Sequence, residues 1–424
     1  MSSAGITLII LVFAIVMFVW EKIPLSITSM ILCVVLIVTG VLTPEEAFTG
    51  FTDSNVLLFM AMFIVGEGFF QTGMANRVGG LVTKFAKTER QLIISIMLIV
   101  GLMSGVLSNT GTAAVLIPVV IGIAQESGYS RSRLLMPLVL AAAMGGNLSL
   151  IGAPGNMIAQ SALQEIGLEF GFFEYAKVGL PILIIGIIYF ALFGYKLLPE
   201  GNREVDEESA LTEQTDYSDV SKWKQNLSLI ILVATILGMI FEEQIGISLF
   251  VTGWIGALLL VVTGVLTETQ AVKSIDMKTI LLFVGTLALA QALQKSGAGA
   301  IIADTVIGLL GDNASPFLLL VAIILLSATL TNFMSNTATT ALLVPISLSI
   351  AQGMGADPRA VLMATVIGGS MAYATPIGMP ANTMVYNIGG YRFKDYVKVG
   401  VPLIMVAIIV SLILLPTFFP FFPK

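Results

Sequence analysis

The sequence contains no histidine and only one cysteine among its 424 residues. Without histidine, imidazole metal ligands, histidine proton relays and serine–histidine catalytic triads are all excluded. The lone cysteine, Cys33, cannot form an intrachain disulfide. Charged residues make up only 11% of the chain. No basic patch with interleaved aromatic residues occurs, so we expect no nucleic-acid partner.

Hydrophobic residues are abundant, at 57% of the chain, and the mean hydropathy is +0.98. Apolar runs of about 20 residues, each long enough to cross a bilayer as a helix, recur along the whole length. A soluble protein of this composition would expose a large apolar surface to water. The sequence therefore predicts an all-α polytopic protein in the plasma membrane.

The tripeptide Ser-Asn-Thr occurs twice within charge-free apolar stretches, at Ser108–Thr110 and at Ser335–Thr337. The flanking residues match as well, and three further motif pairs keep the same order: TGVLT twice, GAPGN with GMPAN, and YAKVGLP with YVKVGVP. A repeat of this length indicates an internal duplication. We predict a first repeat at 1–198, a cytoplasmic linker at 199–222 and a second repeat at 223–424.

Each repeat is predicted to contain about five membrane spans and one re-entrant helical hairpin. The hairpins are expected at Leu92–Ala124 and Phe317–Ala351, which are too long for one crossing, short for two, and centred on Ser-Asn-Thr. Two spans, near 132–163 and 360–390, hold Gly, Pro and Asn clusters that should break them into half-helices. The other spans are expected near 5–20, 26–42, 54–72, 176–198, 225–241, 247–266, 278–294 and 398–415.

The number of crossings in each repeat is odd, so the second repeat should have inverted topology. This arrangement places 16 of the 20 Lys and Arg residues on one side of the membrane. Positive charge favours cytoplasmic loops, which makes that side cytoplasmic. Both termini are then predicted to be extracytoplasmic.

The two hairpin tips and the two helix breaks should meet near the membrane midplane. Half-helix N-termini carry partial positive charge and free N–H groups, which suit an anion. Backbone carbonyls and Ser or Asn oxygens suit a hard cation such as Na⁺. Because these segments carry no charged side chain, bound cations could neutralise an anionic substrate. The sequence therefore favours a transporter that carries an anion together with Na⁺ by alternating access.

Two hydroxyl residues, Ser104 and Thr331, each lie four residues before the serine of a Ser-Asn-Thr motif. On a continuous helix this spacing places each hydroxyl on the face of that serine, where it could complete a cation site with Asn109 or Asn336. The alternative is a hydrogen bond back to the helix itself, which is common for Ser and Thr in membrane helices.

At these motifs the chain resembles the divalent anion–sodium symporter family, whose members carry dicarboxylates, citrate or sulfate. The resemblance covers nearly the whole chain, and the paired Ser-Asn-Thr hairpins are its most specific feature. It implies a fold of ten or eleven helices with two re-entrant hairpins. It also implies a homodimer in which each protomer has a scaffold and a mobile transport domain that moves as an elevator.

The resemblance also implies the residues of the site. One Na⁺ would be held by Ser104, Ser108, Asn109 and Gly152. A second Na⁺ would be held by Thr331, Met334 (through its carbonyl), Asn336 and Gly378. The small divalent anion would face Ser108, Asn109, Thr110, Ser335, Asn336, Thr337 and Pro380.

Two departures from the family pattern bear on the substrate. Ala153-Pro154-Gly155 and Met379-Pro380-Ala381 stand where dicarboxylate carriers often have a hydroxyl followed by two prolines. NIGGYRF at Asn387–Phe393 resembles the branch associated with sulfate and other inorganic anions. We expect Na⁺-coupled symport of a C4-dicarboxylate or a related carboxylate, and these two departures make sulfate the alternative substrate.

Other mechanisms stay open at this point. The same neutral site would serve an anion exchanger that does not co-transport Na⁺. Glu67, an acid within the third span, could carry a proton, although its place near the end of the span favours a structural role. An anion channel is disfavoured, because inverted hairpins point to alternating occlusion. A membrane enzyme is disfavoured by the absence of histidine and of a buried acid pair.

Overall fold

The computed structural model describes residues 2–20, 22–80, 86, 88–200, 220–310 and 316–422. These residues form α-helices, two short 3₁₀ helices and connecting turns, with no β-strand among them, which confirms the predicted all-α class. Seven helical stretches in the described part are long and apolar enough to cross a membrane. Most of the predicted linker, residues 201–219, lies outside the described residues.

The first half contains ten described α-helices. They are α1 (Ser3–Trp20), α2 (Leu25–Val38), α3 (Pro44–Phe48), α4 (Ser54–Gln71), α5 (Met74–Gly79), α6 (Glu89–Ser104), α7 (Asn109–Ser127), α8 (Arg131–Gly145), α9 (Pro154–Gln164) and α10 (Ala176–Leu192).

The second half follows the same order, with one additional short helix, α12. Its described helices are α11 (Lys222–Ile240), α12 (Glu242–Ile245), α13 (Leu249–Val262), α14 (Glu268–Ser274), α15 (Met277–Ser296), α16 (Ala298–Leu310), α17 (Pro316–Leu330), α18 (Asn336–Met354), α19 (Pro358–Gly369), α20 (Pro380–Ile388) and α21 (Phe393–Phe418).

Corresponding helices of the two halves begin with the same local chemistry. Thr43 and Thr267 each form a capping box at the start of α3 and α14, with Glu46 and Gln270 as the reciprocal partners. Asp53 and Asp276 cap α4 and α15, where they accept hydrogen bonds from backbone N–H groups. These caps satisfy the free donors of each first turn, so equivalent sequences start equivalent helices.

The packing between the halves is symmetric. Helix α2 packs on α15, and its counterpart α13 packs on α4, the counterpart of α15. In the same way α9 packs on α18, and α20 packs on α7. Helices α10 and α21, which correspond to each other, pack together. Each of these contacts made by one half is therefore repeated by the other, as expected of two repeats related by a two-fold axis.

The corresponding helices α4 and α15 run in opposite directions. Glu46, which precedes α4, forms a salt bridge of 2.6 Å with Lys295 at the C-terminal end of α15. Glu67, near the C-terminal end of α4, shares a cavity with Asp276, the N-cap of α15. The repeats are thus inverted with respect to each other. The boundaries proposed for them stay a prediction, and so does the side of the membrane that each terminus faces.

The Ser-Asn-Thr segments each separate two helices. Helix α6 ends at Ser104 and α7 begins at Asn109, while α17 ends at Leu330 and α18 begins at Asn336. The expectation that Ser104 and Ser108 share one continuous helix is therefore wrong. The reason is local, because the Ser108 hydroxyl accepts the N–H of Gly111 at 3.0 Å and so caps a new helix. That each pair of helices is re-entrant stays a prediction.

Candidate functional site

Four helices begin at a single cavity of about 440 Å³. These are α7 and α18, which follow the Ser-Asn-Thr turns, and α9 and α20, which follow the breaks in the 132–163 and 360–390 segments. The residues of these helix starts that line the cavity are Ser108, Asn109, Thr110, Pro154, Ser335, Asn336, Thr337 and Pro380. The structure thus brings together every residue that was expected to face an anion.

Two kinds of sequence produce these helix starts. Ser108 and Ser335 are N-caps whose side chains accept the N–H of Gly111 and Ala338, at 3.0 and 3.2 Å. Pro154 and Pro380 occupy the first helical position of α9 and α20. Proline fits there because its fixed φ suits a helix and its missing N–H would have no partner inside the helix. In α18 the N–H groups of Asn336, Thr337 and Ala338 already donate to the Gly378 carbonyl, the Asn336 amide oxygen and the Ser335 hydroxyl. The dipoles of the four helices still place positive partial charge at the cavity.

The predicted Na⁺-binding residues of the first half form an oxygen-rich cluster. The Ser104 hydroxyl lies 2.7 Å from the carbonyl oxygen of Ala142 and 2.8 Å from the amide oxygen of Asn109. A hydroxyl has one hydrogen, so it cannot donate to both oxygens. Gly152 packs against the carbonyl of Gly146, and a Cβ atom there would collide with it. Ser104, Asn109 and Gly152 thus surround one buried point.

The second half repeats part of this arrangement, although the Asn336 amide oxygen accepts the N–H of Thr337 and not the Thr331 hydroxyl. The Thr331 hydroxyl donates to the carbonyl of Gly369, which matches the bond from Ser104 to Ala142 in the first half. The backbone N–H of Asn336 donates to the carbonyl of Gly378 at 3.1 Å. Met334 is fully buried in the turn between α17 and α18. All four residues predicted for the second Na⁺ therefore belong to one neighbourhood.

The two broken helices are held by identical side-chain bonds. The Asn156 amide donates to the carbonyls of Gly146 and Ser149, ten and seven residues earlier. The Asn382 amide donates to the carbonyls of Ala372 and Thr375 at the same two separations. These bonds satisfy backbone oxygens that a broken helix leaves without partners inside the membrane. They explain why each cluster of Gly and Pro ends with an asparagine.

The sequence did not identify two charged residues that line the main cavity, Asp276 and Lys278. Both lie at the start of α15, where the Asp276 carboxylate accepts the N–H of Lys278 and the hydroxyl of Thr279. The cap could be read from the sequence, but its position at the cavity depends on how α15 packs. Asp276 and Lys278 thus bring one negative and one positive charge to a site whose other four helix starts have no charged side chain.

Glu67 lies beside the main cavity and does not line it. It lines a neighbouring cavity of about 260 Å³ together with Ser108, Thr110 and Asp276. Its carboxylate accepts a hydrogen bond of 2.7 Å from the Gln71 amide. The corresponding residue of the second half, Gln291, carries no charge. Glu67 thus has a structural partner on its own helix.

An inverted-repeat bundle of apolar helices with a polar cavity at four helix starts defines this protein as a membrane transporter. The chain belongs to the citrate transporter family, whose model matches residues 15–368. This agrees with its resemblance to the divalent anion–sodium symporters. The family and the relatives below are transporters, which confirms that the protein is not an enzyme.

Curated relatives match nearly the whole chain at low identity. The uncharacterized transporter YfbS of Escherichia coli is 24% identical, in an alignment that covers 97% of this chain and 98% of that protein. The sodium-dependent dicarboxylate transporter SdcS of Staphylococcus aureus is also 24% identical, with 90% and 79% covered. Among solved structures, the YdaH transporter of Alcanivorax borkumensis matches with a TM-score of 0.68 at 15% identity, over 89% of this chain and 88% of that one. This last likeness concerns the fold.

Proposed function

We propose that this protein is a secondary active transporter that carries a divalent anion, a C4-dicarboxylate or a related carboxylate, together with Na⁺. The main observation in favour is the meeting of four helix N-termini at one cavity of about 440 Å³. The positive ends of helices attract carboxylate oxygens, and two pairs of helix starts suit an anion with two charged ends. The cavity volume lies within the roughly 300–1,000 Å³ of small-molecule sites.

The oxygen clusters behind the helix starts support co-transport of Na⁺. The Ser104 hydroxyl, the Asn109 amide oxygen and the Ala142 carbonyl form a group of three oxygens with only one hydrogen among them. Such an excess of acceptors favours a hard cation. We assign one Na⁺ to Ser104, Ser108, Asn109 and Gly152, and the other to Thr331, Met334, Asn336 and Gly378. The name of SdcS, which includes sodium dependence and dicarboxylates, points in the same direction.

The anion would lie between the two clusters, against Ser108, Asn109, Thr110, Ser335, Asn336, Thr337 and Pro380. Cations on either side would offset its charge, so that the loaded site could cross the membrane with little net charge. We further propose that the protomer moves its site by an elevator motion within a homodimer. Both features come from the family resemblance.

Uptake into proteoliposomes tests this proposal. Purified protein would be reconstituted, and radiolabelled succinate uptake measured with an inward Na⁺ gradient and with K⁺ in its place. We expect accumulation above the external concentration with Na⁺ only. Equal uptake in both salts would contradict Na⁺ coupling. If succinate does not enter while radiolabelled sulfate does, the anion class is wrong and the Na⁺ coupling can still be scored with sulfate.

A proton-coupled mechanism through Glu67 is separable by one variant. Glu67→Gln keeps the size of the side chain and introduces the residue found at the corresponding position, Gln291. If Na⁺ drives transport, this variant should retain uptake under a Na⁺ gradient. Loss of uptake in Glu67→Gln, together with uptake by the wild type under a pH gradient alone, would favour proton coupling.

A further inference from the structure

A second, small cavity lies beside the main one, between the two halves of the protein. Its volume is about 10 Å³, close to the roughly 10–15 Å³ that one water molecule requires. It is formed where the start of α9 meets the first turn of α18 and the end of α19. Asn336 and Thr337 line both cavities, so the two are adjacent.

Asn156 supplies an oxygen without a partner to this cavity wall. The residue is fully buried, and its amide nitrogen donates to the carbonyls of Gly146 and Ser149 at 2.9 and 2.7 Å. Both hydrogens are therefore in use, and a reversed amide would place its oxygen against two other oxygens. The amide oxygen itself has no hydrogen-bond partner. A buried acceptor of this kind carries a cost unless a ligand satisfies it.

Two of the three hydroxyl groups of the cavity wall, those of Thr340 and Ser370, have also used their hydrogens. The Thr340 hydroxyl lies 3.0 Å from the carbonyl oxygens of Asn336 and Thr337, and its single hydrogen is donated to one of them. The Ser370 hydroxyl donates to the carbonyl of Ile367 at 2.8 Å and accepts a hydrogen bond from the Asn147 amide. Each hydroxyl can therefore offer only lone pairs to a ligand.

We propose that this cavity binds a small monovalent cation, Na⁺, in addition to the two Na⁺ ions assigned to the Ser-Asn-Thr turns. Three oxygens of its wall, those of Asn156, Thr340 and Ser370, can only accept. A water molecule can donate only two hydrogen bonds, whereas a cation can be coordinated by all three oxygens. No carboxylate lines the cavity, which disfavours divalent ions. The C-terminal end of α19 at Gly369 provides negative partial charge that offsets the positive starts of α9 and α18.

The residues that correspond to the wall of this small cavity in the other half of the protein differ at two positions. Ala113 stands for Thr340, so the hydroxyl is missing, and Ala381 stands for Gly155, so a methyl group is added. A Cβ atom at Gly155 would come within 2.7 Å of the Thr340 hydroxyl, so the absence of a side chain there keeps the space open. Asn382 is retained and also has an unpaired amide oxygen. The two places therefore differ in the hydroxyl of Thr340 and in the space left by Gly155, whereas both keep an asparagine amide.

A third cation in this position has a functional consequence. Asn336 and Thr337 separate the cation from the anion cavity by a single layer of residues. The cation would therefore stabilise the bound anion, and each divalent anion would move with a net positive charge. This inference rests on the proposed Na⁺ coupling for its role in transport, but the binding of the cation can be tested without transport.

The test is direct binding of radiolabelled Na⁺ to purified protein at constant ionic strength, without any anion. Thr340→Val removes the hydroxyl at nearly constant shape, and Gly155→Ala with Thr340→Ala introduces the pair found in the other half. The matched control is Thr339→Val, since Thr339 is also a buried hydroxyl of α18 but lies outside the cavity wall. Thermal unfolding of each variant shows that it is folded.

We expect Thr340→Val and the double variant to bind one Na⁺ fewer per protomer at saturation, and Thr339→Val to match the wild type. Unchanged binding in both cavity variants would overturn the proposal, with water as the occupant. Asn109→Ala distinguishes the other sites. If Thr340→Val loses one ion while Asn109→Ala loses none, the cavity site stands and the Na⁺ assignment at the Ser-Asn-Thr turn fails.

Discussion

The Asn147 amide donates a hydrogen bond to the Ser370 hydroxyl, and this bond joins the broken segments of the two repeats. Both residues are buried, and each directly follows a Gly-Gly pair at the end of its helix. The bond therefore connects the two halves of the site directly. It holds the segment that precedes α9 against the segment that precedes α20.

Removing this bond should weaken the site and the fold together. We expect Asn147→Ala to lower the free energy of unfolding by about 1–3 kcal/mol, because a buried polar group loses its partner. The anion concentration at half-maximal uptake should rise as well. Ser370→Ala should have a similar effect, and the double variant should be little worse than either single one. Thermal unfolding and uptake kinetics would measure this, and fully additive effects would contradict a direct coupling.

Two glycines allow helices to pack directly on the broken segments. A Cβ atom at Gly179 in α10 would collide with the carbonyl of Asn147, and one at Gly400 in α21 would collide with the carbonyl of Tyr373. We expect Gly179→Ala and Gly400→Ala each to destabilise the protein by about 1–3 kcal/mol through overpacking.

The control for this prediction is Gly122→Ala, because no atom lies within 4 Å of a Cβ placed at Gly122 in α7. It should be neutral, or stabilising by about 0.4–1 kcal/mol. The midpoint of thermal unfolding in detergent would be compared for the three variants. Equal midpoints would show that these close helix contacts contribute nothing to stability.

Ser104 should affect the requirement for Na⁺ more than the requirement for the anion. Ser104→Ala removes one oxygen of the cluster with Asn109 and Ala142. A contact to a charged group is worth about 1.5–3 kcal/mol, so the Na⁺ concentration at half-maximal uptake should rise about 10-fold or more. Ser127→Ala, which removes a hydroxyl bonded to its own helix at the other end of α7, should change nothing. Equal Na⁺ dependence in both variants would exclude Ser104 as a ligand.

The asparagines of the two Ser-Asn-Thr turns should both be essential. Each contributes to a proposed Na⁺ site and lines the anion cavity, so Asn109→Ala or Asn336→Ala should abolish uptake. The exposed Asn226 in α11 provides the control, and Asn226→Ala should transport normally. Thermal unfolding would verify that the variants are folded. Normal uptake in both turn variants would refute the assignment of the site.

Much of this architecture could be predicted from the sequence, because its features are local. Ser-Asn-Thr within an apolar stretch marks a helix start, and Pro154 and Pro380 mark two more. The duplicated order of motifs then places the four starts together. The error over Ser104 arose from treating the spacing of four residues as helical, whereas the cap at Ser108 begins a new helix.

Other features depend on packing between segments that are distant in the sequence. Asp276 and Lys278 look like an ordinary helix start, and only the contact of α15 with the rest of the bundle brings them to the cavity. The small cavity depends on the contact of Gly155 with Thr340 across the two halves.

Reciprocal coupling of the two fluxes tests the central claim most directly. Proteoliposomes would contain equal Na⁺ on both sides with a radioactive tracer outside, and an inward gradient of unlabelled succinate would be imposed. If anion and Na⁺ share one transport cycle, Na⁺ should accumulate inside the vesicles with the wild type and fail to do so with Asn336→Ala. Entry of succinate without any net movement of Na⁺ would contradict symport and would favour anion exchange.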